Sequence, residues 1–125
     1  MANAVKYMAF GSGFTAKEEV MVMEYDFAAD GGAAGTIVLG LTDKKILVLD
    51  SRVYVATACT SGGSATVKIG TTADDDAFMD TTSGAVASLT ADAVVTETAG
   101  QNVVVASGQA INMVIGTAAL TAGKI

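Results

Sequence analysis

The chain has 125 residues and a formal net charge of −6, and 51% of its residues are hydrophobic while only 16% are charged. This length fits one domain, and the composition is too apolar for a disordered chain, so part of the surface is expected to contact other protein. The chain contains no histidine and a single cysteine, so it lacks the commonest general base and metal ligand. We therefore predict no enzymatic activity, no cofactor and, given the excess of acidic residues, no nucleic-acid partner.

Residues 1–19 are predicted to form an N-terminal arm ahead of the folded domain. Gly11–Gly13 interrupts this stretch, and no sustained alternation of apolar and polar residues runs through it. The arm nevertheless carries the apolar side chains of Met8, Phe10 and Phe14, which a segment outside the core has little reason to carry unless it docks. It docks either on its own domain or on a neighbouring subunit or larger assembly. All three residues are therefore candidate partner-binding residues.

Alternating hydrophobicity predicts the first strands. The segments are Met21–Phe27, Thr36–Leu41 and Ile46–Thr60. The third segment is longer than a usual strand, so a bend or bulge near Asp50 is expected to divide it, with Leu49 on the inward face.

Further short strands are predicted along the rest of the chain. The residues of Ser61–Ser64 are typical of a hairpin turn, which would lead into a strand at Ala65–Gly70. Short strands separated by turns at this spacing indicate a sandwich or barrel. We therefore predict an all-β, jelly-roll-like β-sandwich over residues 20–125. The later strands are expected at Ala85–Leu89, Ala93–Thr98, Asn102–Ala106 and Ile111–Ile115, with a last piece that ends at Ile125.

A polar excursion with an apolar centre spans residues 71–80. It holds the dense acidic cluster of the sequence, Asp74, Asp75 and Asp76, and calcium or magnesium would require such oxygen ligands. The spacing lacks the glycine and the final acidic residue of an EF-hand loop, so we predict no metal and favour a solvated loop or one that faces basic residues of a partner. Phe78 is expected as the exposed aromatic residue of this loop.

The sequence predicts neither export nor a membrane partner. The first residues contain no basic cluster followed by an apolar run and a cleavage site, so we expect synthesis and use in the cytoplasm, or release by lysis. The stretch 98–123 is uncharged and long enough for a membrane span. Glycine and amide residues such as Gly100, Asn102 and Asn112 divide it into turns, which argues against a span.

Two runs of residues carry a resemblance to a known family. The run Val67-Lys-Ile-Gly-Thr-Thr-Ala-Asp-Asp-Asp-Ala-Phe78, the sparse strands after it and the ending Gly116-Thr-Ala-Ala-Leu-Thr-Ala-Gly-Lys-Ile125 resemble the head decoration, or cement, proteins of tailed bacteriophages. The resemblance covers about residues 46–125. Such proteins commonly sit as trimers at local three-fold positions of the icosahedral shell and brace it against internal DNA pressure.

The resemblance implies a virion structural protein that is made in the host cytoplasm and located on the capsid surface. It would bind the outer surface of the head and stabilise it, with the major capsid protein and further copies of itself, as a homotrimer, as partners. Candidate contacts are Met8, Phe10, Phe14, the Asp74–Asp76 carboxylates and Phe78. The alternative is a phage tail or fibre component involved in host attachment, which exposed loop aromatics would favour. A carbohydrate-binding or calcium-dependent module is a third class, weakened by the absence of tryptophan.

Overall fold

The computed structural model describes residues 20–97 and 101–125, and strands dominate that part of the chain. It contains nine strands, one helix of four residues and one 3-10 helix, so the predicted all-β class is confirmed. The helix α1 is Phe27–Asp30 and the 3-10 helix is Val86–Ser88. The strands are β1 (Gly35–Leu41), β2 (Ile46–Val48), β3 (Val53–Tyr54), β4 (Thr57–Ser61), β5 (Thr66–Thr71), β6 (Val94–Val95), β7 (Val103–Val105), β8 (Ala110–Gly116) and β9 (Leu120–Lys124).

The first three strands pair with later strands in reverse order. β1 pairs with β8, β2 with β7 and β3 with β6, and all three pairs are antiparallel. Between β1 and β2, the backbone N–H of Thr42 donates to the carbonyl of Gln109 at 2.9 Å and continues the ladder. The pairs β1–β8, β2–β7 and β3–β6 therefore form one interrupted two-stranded ribbon, which we call the nested ribbon.

Two further pairings complete the fold around one core. β5 lies on the other side of β8, which gives a three-stranded sheet in the order β1-β8-β5, and β4 pairs with β9. Met113 of β8 and Val67 of β5 are fully buried, and they join one hydrophobic cluster with Val53, Cys59 and Leu120 from β3, β4 and β9. The core thus lies between the three-stranded sheet and the shorter strand pairs.

The hairpin predicted at Ser61–Ser64 is wrong. Within the described part of the chain, β4 pairs with β9 and β5 pairs with β8, so the two strands on either side of this turn are not partners. The Ser61 hydroxyl donates to the carbonyl of Ala119 at 2.7 Å and accepts a hydrogen bond from the N–H of Gly63. Pairing with a strand distant in sequence has overridden the local turn signal.

The strand predicted at Met21–Phe27 is an extended segment that enters a helix. The predicted alternation is present, since Tyr25 is buried while Val20 and Val22 are 87% and 86% exposed. Tyr25 exchanges two backbone hydrogen bonds with Ile125. The chain then turns, because the Asp26 carboxylate accepts a hydrogen bond from the N–H of Ala28 and caps α1.

The bend predicted near Asp50 is confirmed, because β2 ends at Val48 and β3 begins at Val53. The predicted inward face is correct after the bend and wrong before it. After the bend, Val53 is buried as predicted. Before the bend, Leu49 is 40% exposed although it was predicted to face inward, and Ile46, which has the opposite parity, is buried. The chain is not a continuous strand between β2 and β3, so the inward positions have even numbers before the bend and odd numbers after it.

The strand predicted at Ala85–Leu89 is a 3-10 helix. The N–H of Ser88 donates to the carbonyl of Ala85 at 2.8 Å, and the N–H of Leu89 donates to the carbonyl of Val86 at 3.1 Å. These short-range bonds turn the chain so that Leu89 is fully buried.

Candidate functional site

The acidic loop that follows β5 lies directly on the backbone of that strand. A Cβ atom at Gly70 would collide with the carbonyl oxygen of Asp74, so the close approach requires glycine. The N–H of Thr71 donates to the same carbonyl at 2.7 Å, and the Thr71 hydroxyl accepts from the N–H of Asp74 at 3.1 Å. The loop is therefore fixed against the sheet, and the carboxylates of Asp74–Asp76 remain exposed.

The structure brings the three predicted carboxylates together. Oxygen atoms of Asp74, Asp75 and Asp76 all lie within 4.8 Å of one another. The ammonium group of Lys68 is 2.6 Å from Asp75 Oδ2, and a hydrogen bond with the Asp74 carboxylate raises the pKa of Asp76. The ammonium group of Lys68 thus moderates the repulsion, and the exposed oxygens can accept hydrogen bonds from basic side chains of a partner.

The prediction of Phe78 as an exposed loop aromatic is wrong. Its side chain is only 7% exposed and belongs to the hydrophobic core, as does that of Met79. The N–H of Phe78 donates to the carbonyl of Ile69 at 2.9 Å, which anchors the loop to β5. Phe78 therefore holds the acidic loop in place instead of presenting a ring to a partner.

The three predicted contact residues of the arm, Met8, Phe10 and Phe14, lie outside the described residues. Their partner-binding role stays a prediction. The described chain begins at Val20, where the extended segment forms part of a groove. The position at which the arm joins the domain is therefore known.

An apolar groove of about 770 Å³ lies between two stretches of the chain. Val20–Tyr25 forms one wall and Val48–Tyr54 contributes to the other, while core residues including Ile69, Ile111 and Met113 line its floor. We call this feature the arm-side groove. It was not predicted, because its walls are distant in sequence, and the exposure of Leu49 that opens one wall contradicts the expected parity.

The outer face of the nested ribbon also carries exposed apolar side chains. Tyr54 and Val94 are directly opposite each other in β3 and β6, and they are 52% and 58% exposed. Val104 in β7 is 58% exposed. Tyr54 follows the buried Val53 in β3, so the alternation of a strand directs it outward. The valine runs of β6 and β7 gave no such indication, since every position in them is apolar.

Comparison of the chain with models of known protein families, with characterised proteins and with solved structures finds no match. In the described ranges, no helix is long and apolar enough to cross a membrane. The site therefore has to be interpreted from its own chemistry. An apolar ribbon face, an apolar groove and an acidic loop are features suited to contact with other protein.

Proposed function

We propose that this chain is a virion structural protein that decorates the outer surface of an icosahedral phage head by binding the major capsid protein. The observation that carries the proposal is the apolar outer face of the nested ribbon, where Tyr54, Val94 and Val104 are each more than half exposed. Burying apolar surface contributes about 25 cal/mol per Å² before association costs. On a shell of repeated subunits, linked copies add avidity to such modest contacts.

The strand pairing supports the jelly-roll-like sandwich that we propose as the finer description of the fold. A jelly roll is a double-sheet fold of two Greek keys, in which a long two-stranded ribbon folds over itself. The pairing of β1 with β8, β2 with β7 and β3 with β6 follows that arrangement. The innermost pair of such a ribbon would be β4 with β5, and here those strands pair with β9 and β8.

In the proposed assembly the protein is a homotrimer on the capsid surface. The low charge content of 16% and the exposed ribbon face favour association of the copies. The loop of Asp74–Asp76 would face basic side chains of the shell, and Met8, Phe10 and Phe14 would contact a neighbouring subunit. Light scattering that gives three times 12.5 kDa would support the trimer, while a single-chain mass at micromolar concentration would contradict a preformed one.

Quantitative mass spectrometry of purified particles, with heads and tails separated, tests the function directly. We expect the chain in many copies beside the major capsid protein in the head fraction. Its presence in the tail fraction alone would overturn the proposal in favour of a tail or fibre component. Its absence from both fractions would overturn both structural roles.

A binding assay on heads that lack the chain tests the contact surface. We expect Val104→Glu to weaken binding at least tenfold, because the charge must be desolvated in an apolar contact. Thr57→Glu is the matched control, since Thr57 is an exposed position of β4, which lies outside the nested ribbon. Equal binding of both variants and the unsubstituted chain would contradict the assignment of the ribbon face.

A further inference from the structure

The arm-side groove leaves part of the core layer in contact with water. Met21, Met23, Leu39 and Val48 line the groove and pack against the core, yet they are only partly buried. Covering these side chains is favourable because it removes apolar surface from water. The volume of about 770 Å³ lies in the range of pockets that enclose a drug-sized molecule. Several apolar side chains of a peptide segment would occupy a similar volume.

The wall formed by residues 20–25 is an extended segment outside the strands of the fold. Its backbone is held at Tyr25, which exchanges hydrogen bonds of 2.7 and 2.9 Å with Ile125. Among the residues that the structure describes, none makes a backbone hydrogen bond with Val20–Glu24. An extended, unpaired edge is a template for the addition of another strand. The groove can therefore offer backbone pairing as well as apolar contact.

The segment that precedes this wall in the sequence carries apolar side chains that could fill the groove. Residues 1–19 directly precede Val20 and include Met8, Phe10 and Phe14. An extended chain advances about 3.3–3.6 Å per residue, so all three lie within reach of the groove. Because residues 1–19 are covalently joined to the groove wall at Val20, their effective concentration at the groove is on the order of millimolar, which a free partner would have to exceed.

The charges at the groove also fit this segment. Arg52 Nε lies 3.2 Å from Asp50 Oδ2, and Lys124 Nζ lies 3.2 Å from Glu24 Oε1, so the charges beside the groove are paired with one another. The stretch Tyr7–Ala16 contains no charged residue. An uncharged apolar segment leaves these ion pairs intact, whereas a charged peptide would have to compete with them.

We propose that the arm-side groove is the binding site of the chain's own arm, with Met8, Phe10 and Phe14 seated in it in the free protein. Gly11 and Gly13 lie between Phe10 and Phe14 in the sequence and would give this link the backbone freedom to place both rings in one groove. The inference concerns the isolated chain and does not rest on the proposed function. Exchange of the same arm between copies would reuse the same contacts, which makes an exchanged oligomer a low-cost alternative state.

Disulfide trapping in the full-length chain tests the position of the arm. Ala9→Cys, which keeps the three predicted contact residues of the arm, is combined with Leu49→Cys at the groove, and the matched control combines Ala9→Cys with Val104→Cys, which is exposed outside the groove. The native Cys59 competes little, since it is 4% exposed and burial raises the pKa of its thiol. At low micromolar protein, we expect the Leu49 pair to form a disulfide within one chain at least tenfold faster than the Val104 pair.

The result can overturn the inference in two ways. Equal or absent cross-linking of the two pairs would mean that the arm does not occupy the groove. A disulfide that joins two chains in a denaturing, non-reducing gel would assign the groove to a second copy.

Trypsin cleavage gives a second readout that introduces no cysteine. We expect Phe10→Asp to speed cleavage after Lys6 and Lys17 at least fivefold, while the control Ser12→Asp changes it little, because a seated arm resists the protease. Equal cleavage of Phe10→Asp and Ser12→Asp would also overturn the inference.

Discussion

The same core is covered by the acidic loop that follows β5 and by the extended wall of residues 20–25. The acidic loop packs directly on β5, whereas the wall borders the arm-side groove. The loop is joined to β5 by backbone hydrogen bonds, including Phe78 N–H to the Ile69 carbonyl at 2.9 Å and Ile69 N–H to the Met79 carbonyl at 3.0 Å. The wall contacts the core through alternating side chains, and among the described residues its first backbone hydrogen bonds to another segment are those of Tyr25. Backbone hydrogen bonds hold the acidic loop tightly against the core, whereas the wall, which contacts the core mainly through side chains, leaves the arm-side groove beside it.

The largest effect is expected from removing the buried floor that both segments share. Met113→Ala deletes most of a side chain with no exposed surface, so we expect a loss of about 2–5 kcal/mol in the free energy of unfolding. Denaturant unfolding measures it, and Val104→Ala is the exposed control, with an expected change below about 1 kcal/mol. Equal losses in the two variants would show that the floor is not packed as described.

Close backbone packing on the loop side is tested at Gly84. A Cβ atom there would collide with the carbonyl oxygen of Val67, so we expect Gly84→Ala to cost about 1–3 kcal/mol of stability. Gly62→Ala is the matched control, because nothing lies within 4 Å of its Cβ position. If thermal melts of the two variants coincide, the loop side is no more tightly closed than the groove side.

The acidic loop predicts a small pH dependence of stability. The hydrogen bond with Asp74 raises the pKa of Asp76 above its ordinary value of 3.8, so the folded chain holds this proton more tightly than the unfolded chain. The stabilising contribution is complete below the ordinary value and is lost as pH rises through the raised value.

Two variants isolate this contribution. Asp76→Asn should remove that part of the pH dependence, and Asp74→Asn should return the pKa of Asp76 towards its ordinary value. Carboxyl NMR titration and melting curves against pH measure both effects. A loss of stability on lowering pH through the same window would have the opposite sign and would contradict the assignment.

The smallest effect is expected from metal removal. The ammonium group of Lys68 lies 2.6 Å from Asp75 Oδ2 and the three carboxylates are exposed to water, so we expect the loop to keep its conformation without a metal ion. We expect EDTA and calcium chloride to leave the melting temperature unchanged. A rise of several degrees with calcium that EDTA reverses would make the acidic loop a metal site.

The sequence predicts those parts of the fold that depend on local pattern. The strands at Thr36–Leu41 and Ile111–Ile115 and the bend near Asp50 are found at the predicted places, because the residues of each segment determine them locally. The expected alternation in Ile111–Ile115 is incomplete, since Asn112 is buried as well. The failed hairpin at Ser61–Ser64 depended instead on which distant strand offers a partner, and no local residue encodes that choice. Long-range pairing is the information that the pattern lacks.

The candidate site divides in the same way. The proximity of Asp74–Asp76 follows from adjacent positions in one loop, so the sequence suffices to predict it. The burial of Phe78 depends on the backbone bond to Ile69, and the arm-side groove depends on walls that meet only in three dimensions. An apolar residue within a polar loop predicts a side chain that anchors the loop to the core, since large apolar side chains are usually buried.

The nested ribbon also constrains the order of folding. Within the ribbon, the pair of β3 with β6 closes the shortest loop, the pair of β2 with β7 closes a longer loop, and the pair of β1 with β8 closes the longest. The entropy of loop closure therefore favours pairing that starts at β3 and β6 and extends outward. In the described part of the chain, β1, β4 and β5 pair only with strands formed by residues 110–124, which are synthesised later. Contacts this distant in sequence are typical of slow folding, and the earlier strands must remain unpaired on the ribosome while the later ones emerge.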